Sequence, residues 1–83
     1  MAIATDADEW IDIYTCERLA QDLNGDSWFI ADFPVGPTRC EWLDPYMGLV
    51  RVDTPAMRKG FMTVSQLDEM FPGLRCTRPQ LTD

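Results

Sequence analysis

The sequence predicts a small single domain of the α+β class, with an N-terminal helix, a three-stranded antiparallel meander and a C-terminal helix. A length of 83 residues fits one domain. The chain is 46% hydrophobic and 11% aromatic, which is enough for a folded core. Segments with β-forming patterns occupy the middle of the chain, and segments with helical spacing lie on either side of them.

The N-terminal segment carries both a start and a stop signal for a helix. Asp6 and Glu9 stand three positions apart, as in a capping box, and Asn24-Gly25 is typical of a helix end. The apolar stripe shifts halfway along, so two interpretations remain. The start and stop signals favour one continuous helix; the other interpretation is a short strand at residues 10–14 followed by a helix capped by Thr15. Residues 15–24 are helical in both.

The middle of the chain predicts three strands. The first is SWFIADF at residues 27–33, the second TRCEWLD at 38–44 and the third LVRVDT at 49–54. Gly36 can adopt a positive φ in the first turn, and residues 45–48 form the second. Turns this short favour antiparallel neighbours. Because both faces of the first strand are apolar, we expect that strand to lie centrally.

The C-terminal helix is predicted from VSQLDEMF at residues 64–71, with Thr63 as its cap and Pro72-Gly73 as its end. Residues 74–78 can add an edge strand before Pro79.

The residue types argue against catalysis and against a bound cofactor. The chain has no His, which removes the commonest general base and the Ser-His and Cys-His nucleophile pairs. Its three cysteines form no C-x-x-C pair and predict reduced, buried thiols in a cytosol-like compartment. Asp6, Asp8 and Asp12 do not follow the calcium-loop pattern. We therefore expect no enzyme activity, no metal and no cofactor.

The charge is strongly asymmetric along the chain. The net charge is −7, to which residues 1–44 contribute −8 and residues 45–83 contribute +1. An excess of acid disfavours direct binding to nucleic acid, because phosphate contacts need Lys and Arg. The same shortage of basic residues disfavours a helix-turn-helix regulator. An acidic face suits a basic protein surface, toward which it would be steered electrostatically.

The predicted partner-binding residues combine charge with aromatic anchors. Interface energy comes mainly from buried aromatic and Met side chains, and rim charges set the association rate and the selectivity. We expect some large side chains to be partly exposed: Trp10, Trp42, Tyr46 and Met47. The residues predicted to bind the partner are Asp8, Glu9, Asp12, Asp22 and Asp26 for charge, with Trp10 and Tyr46 as anchors. On a continuous helix, Asp8, Asp12 and Asp22 would present a row of negative charge.

In size, acidity and lack of catalytic residues, the chain resembles the small phage-borne anti-defence inhibitors of the anti-CRISPR type. The resemblance covers the composition of the whole chain and includes no motif, so it assigns no residue a role. It implies a DNA-mimicking inhibitor that docks on a larger protein complex and occupies its basic, nucleic-acid-binding surface.

The alternative is a small self-assembling or accessory structural subunit of a phage or mobile element. In a homodimer of this kind, the acidic first half of one copy would meet the basic second half of another. The sequence shows no apolar run of membrane-spanning length and no signal peptide. Both hypotheses therefore predict a cytoplasmic protein without a membrane partner. If the chain is phage-encoded, this is the host cytoplasm.

Overall fold

The computed structural model describes residues 10–23, 25–53 and 60–82, which form one antiparallel sheet and two helices. The elements in chain order are β1 (Ile11–Asp12), α1 (Ile13–Leu23), β2 (Ser27–Phe33), β3 (Gly36–Asp44), β4 (Leu49–Val52), β5 (Phe61–Thr63), α2 (Val64–Met70), β6 (Arg75–Cys76) and β7 (Gln80–Leu81). The strand order is β1-β6-β2-β3-β4-β5, and β7 also pairs with β2.

The predicted architecture of helix, three-stranded meander and helix is wrong. The helix α1 is not N-terminal, because it follows strand β1, and the sheet extends on both sides of the β2–β3–β4 meander. Strand β5 pairs with β4, while β6 and β7 both pair with β2. The physical reason lies in β2, which is largely buried and has backbone groups to satisfy on both edges. Short strands from distant parts of the chain pair with the second edge of β2.

The start of α1 matches neither of the two interpretations of residues 10–14. A strand is present, but it covers only Ile11–Asp12, and the helix begins at Ile13. The Asp12 carboxylate accepts the backbone N–H of Thr15 at 2.7 Å. Asp12 is therefore the N-cap, in place of Thr15. The predicted capping box of Asp6 and Glu9 lies outside the described residues.

Both helices pack against one face of the sheet and share one core. The core side chains of the helices are Ile13, Cys16, Ala20, Val64 and Leu67, and those of the sheet are Phe29, Ala31, Phe33, Cys40, Trp42, Val50, Val52, Met62 and Cys76. The rings of Phe29 and Trp42 lie 5.0 Å apart between centroids. Trp42, which we expected to be partly exposed, is buried because the strand register pairs it with Val50 and Ser27 on this inner face.

Two local sequence signals are confirmed. At the start of α2, the Thr63 hydroxyl accepts the backbone N–H of Gln66 at 3.2 Å, and the Gln66 side chain accepts the backbone N–H of Thr63 at 2.9 Å. This is a complete capping box. Gly36 has φ +124°, as expected for the turn between β2 and β3.

Candidate functional site

One continuous surface is formed by α1, α2 and the turn at residues 45–48; we call it the helix-side surface. The Tyr14 hydroxyl donates to the Asp68 carboxylate of α2 at 3.4 Å. Two turns of helix later, the Gln21 side-chain amide donates to the carbonyl of Pro45 at 3.1 Å. Residues 14, 17 and 21 lie on one stripe of a helix because they are three or four positions apart. This stripe therefore connects α2 with the turn.

The turn between β3 and β4 holds two large side chains in solvent. The Asp44 carboxylate accepts the backbone N–H groups of Tyr46 at 3.2 Å and Met47 at 3.3 Å. The Tyr46 hydroxyl also donates to the carbonyl of Gln21 at 3.3 Å. Tyr46 is nevertheless 70% exposed and Met47 73% exposed. Their backbone is fixed while most of their side-chain surface stays accessible.

Gly48 closes the turn against α1. Its φ is +69°, a left-handed conformation that favours glycine. A Cβ atom at this position would lie 2.5 Å from Oε2 of Glu17 and 3.6 Å from Cγ2 of Val64. The Glu17 carboxyl therefore packs directly beside the turn, and its partial burial raises its pKa above the ordinary value.

The helix-side surface is acidic. Its two helices and its turn, counted from Asp44, carry one basic residue, Arg18. The acidic residues on the same elements are Glu17, Asp22, Asp44, Asp68 and Glu69. A negatively charged surface of this kind attracts positively charged groups.

The structure brings together only two of the residues predicted from the sequence to bind a partner. Tyr46 contacts the last turn of α1, and the exposed Asp22 lies next to its contact residue Gln21. Asp8 and Glu9 lie outside the described residues. Because α1 begins at Ile13, Asp12 is a cap and is not part of a helical row with Asp22.

The remaining predicted residues, Trp10 and Asp26, lie next to strands of the sheet. Trp10 precedes β1 and is half-buried, with the Arg75 guanidinium 6.0 Å from its ring centroid. Asp26 is exposed just before β2, and its carbonyl accepts the backbone N–H of Thr82 at 2.9 Å.

The residues predicted from the sequence to bind a partner did not include Tyr14, Glu17 or Asp68. A usable signal was the spacing of Tyr14 and Gln21, which are seven positions apart and therefore share a helix face. A second signal was the segment Asp44-Pro45-Tyr46-Met47-Gly48, in which an Asx side chain and a glycine bracket two large residues.

The thiols do not supply a reactive group at neutral pH. All three cysteines are free and buried. Burial raises the pKa of Cys16 to about 12 and that of Cys40 to about 12, and it also raises the pKa of Cys76. Within residues 10–23, 25–53 and 60–82, no group of three or more Cys, Asp or Glu side chains is arranged to hold a metal ion.

A cavity of about 650 Å³ lies elsewhere, between the β2–β3 turn and the end of α2. Phe33 and Phe71 line it, with ring centroids 4.9 Å apart, and Asp32 and Arg75 stand at its margin. It is separate from the turn at residues 45–48.

Comparison with protein-family models, with curated proteins and with solved structures gives no match. In the part of the chain that the structure describes, neither helix has the length and apolar character needed to cross a membrane.

Proposed function

We propose that this chain is a non-enzymatic inhibitor that docks its helix-side surface on a basic surface of a larger complex, where nucleic acid would otherwise bind. The observation that carries the proposal is the fixed turn that exposes Tyr46 and Met47 among carboxylates. The resemblance to small anti-defence inhibitors points to the same class of function.

The exposed turn has the properties of an interface anchor. Tyr is enriched among the residues that dominate binding energy, and Met adapts to irregular surfaces. The Asp44 side chain and the Gln21 carbonyl already restrain Tyr46 in the free protein. Association therefore loses less conformational entropy than it would with a mobile loop. Tyr14, which is 48% exposed, extends the same surface toward α2.

The charge around the anchor selects the partner. The carboxylates of Glu17, Asp22 and Asp68 lie on the two helices beside the exposed tyrosines. A basic groove attracts such a surface at long range, and salt weakens that attraction. A groove of that kind is what nucleic-acid-binding complexes present to phosphates. The inhibitor would therefore compete with nucleic acid without binding it.

The cytoplasm is the compartment that this function requires. A nucleic-acid-handling complex operates there, and the three free thiols suit a reducing environment. If the chain is phage-encoded, the compartment is the host cytoplasm.

The test is a pull-down of the tagged protein from host-cell lysate, washed at low and at high salt and identified by mass spectrometry. We expect a nucleic-acid-handling complex that is retained at low salt, released by high salt and displaced by added DNA or RNA. Recovery of a complex that neither salt nor nucleic acid displaces would contradict the proposal.

Variants then place the contact on the helix-side surface. Tyr46→Ala should weaken binding at least about tenfold, as expected for an anchor. Asp22→Lys should slow association and reduce its salt dependence. Asp32→Lys makes the same charge change on the opposite face of the sheet and should leave binding unchanged. Equal losses in Asp22→Lys and Asp32→Lys would show that net charge, and not this surface, governs binding.

The alternative, a self-assembling or accessory structural subunit, would instead use the face of the sheet that the helices leave uncovered.

A further inference from the structure

The face of the sheet that points away from the helices is unusual in composition. Its central row runs across four strands, where the register places Trp28, Glu41, Arg51 and Phe61 opposite one another in turn. The Arg39 guanidinium lies 4.3 Å from the Trp28 ring centroid, and its Nη2 lies 3.7 Å from Oε2 of Glu41. We call this surface the open sheet face.

The open sheet face is more apolar than a solvated face requires. Phe61 is 55% exposed and Leu43 is 47% exposed, while Trp28 and Ile30 are half-buried although neither α1 nor α2 covers them. The outer face of an antiparallel sheet is ordinarily polar. Aromatic residues together with Arg are the types enriched in protein–protein interfaces.

The charge of this face differs from that of the chain as a whole. The described residues place three guanidinium groups on this face, those of Arg39, Arg51 and Arg75, and four carboxylates, those of Asp12, Asp32, Glu41 and Asp53. The face is therefore close to neutral on a chain of net charge −7. Within the described ranges the one ion pair is Arg39–Glu41, so the guanidinium of Arg51 and the carboxylates of Asp32 and Asp53 form none there.

We infer that the open sheet face binds a second copy of this chain, related by a two-fold axis. A two-fold interface presents the same patch from both sides, so a patch that carries guanidinium and carboxylate groups in similar numbers can complement itself. Trp28 and Phe61 supply apolar contacts at the two ends of the central row. Arg51 of each copy faces carboxylates of the other.

A polyanion fits this face poorly. Single-stranded nucleic acid does stack on exposed aromatic side chains, but it also requires a positively charged groove. The described residues of the open sheet face carry no excess positive charge, and the net charge of −7 on the chain repels phosphates. Because the face lies opposite the helix-side surface, a dimer leaves that surface available, and this inference does not depend on the proposed function.

The test is sedimentation equilibrium of the purified full-length chain over a range of concentrations. We expect a mass of about 19 kDa, twice the 9.5 kDa of the chain, that falls toward the monomer on dilution. Phe61→Ser and Arg51→Glu should each raise the dimer dissociation constant at least about tenfold. Arg18→Glu is the matched charge reversal on α1, and it should leave the constant unchanged. Circular dichroism verifies that each variant is folded.

Three outcomes would overturn the inference. The first is a mass of 9.5 kDa at every concentration up to about 1 mM, which would mean that any dimer has a dissociation constant above about 1 mM. The second is a dimer that Arg18→Glu disrupts and Arg51→Glu does not. The third is a monomer that binds a single-stranded oligonucleotide and loses that binding in Arg51→Glu, which would assign the face to nucleic acid.

Discussion

Replacing Asp12 with alanine tests the role that the structure gives to this residue. Its carboxylate accepts the Thr15 backbone N–H at 2.7 Å and so satisfies an otherwise unpaired donor in the first turn of α1. Loss of an N-cap side chain of this type destabilises a protein by about 1 kcal/mol, within a range of about 0.5–2 kcal/mol. In a domain of this size, about 1 kcal/mol lowers the Tm by about 4–8 °C. Thermal unfolding followed by circular dichroism, with urea titration alongside, measures both quantities.

Two control variants separate the cap from the charge. Asp12→Asn keeps an oxygen acceptor and removes the charge, and Asn caps helices as well as Asp does, so its stability should stay close to that of the parent. Asp22→Ala removes an exposed carboxylate at the other end of α1 and should change the free energy of unfolding by less than about 0.5 kcal/mol. If Asp12→Asn loses as much stability as Asp12→Ala, or if Asp12→Ala loses none, the capping explanation is refuted.

The pH dependence of the cap follows from the same hydrogen bond. The backbone N–H of Thr15 is the main cause that holds the pKa of Asp12 below its ordinary value of 3.8. Because the pKa is lower in the folded state, the stabilisation is complete above pH 3.8 and is lost as the pH falls through the folded value. Asp12→Asn should lack this component of the acid-induced loss of stability, which parallel acid titrations of the two proteins would reveal.

The other predictions concern the core, the turns and the thiols. Leu67→Ala should reduce the free energy of unfolding in urea by about 2–5 kcal/mol, because this fully buried side chain leaves a cavity. Thr63→Ala should reduce it by about 1 kcal/mol through loss of the capping box. Gly48→Ala should reduce it by about 1–2 kcal/mol, since its φ of +69° strains any residue with a Cβ. Ellman's reagent should modify the thiols of the folded protein only as fast as the protein opens, and all of them promptly in denaturant: Cys16, Cys40 and Cys76.

The elements that the sequence predicted correctly are those with strong local signals. The β-forming residues of SWFIADF predict β2, and Thr63 caps the start of α2 as predicted. The two-residue strands β1 and β7 have no periodicity of their own, because a pattern needs several residues to show itself. They exist because β2 and its neighbour β6 offer unpaired backbone groups to whichever segment the chain brings near.

The candidate site was predictable where it lies on a turn. Residues at a turn tip are exposed almost regardless of tertiary context, so the exposure of Tyr46 and Met47 could be expected. Tyr14 was not among the residues predicted for the site. In the fold, Ile13 points into the core and Tyr14 reaches Asp68. That division depends on the position of α2, which no local pattern encodes.

The pairing of β1 with β6, and of β2 with β7, also determines how this chain can fold. The partners Ile11 and Cys76 lie 65 positions apart in the sequence, and the partners Ser27 and Leu81 lie 54 positions apart. During synthesis, one edge of β2 therefore stays unpaired until β6 and β7 have left the ribosome, and closing such non-local pairs slows folding. A chain truncated after Gly73 would lack β6 and β7 and keep that edge exposed. We expect it to aggregate through strand-to-strand pairing, which makes the docking of β6 and β7 the step that protects this sheet from other copies of the chain.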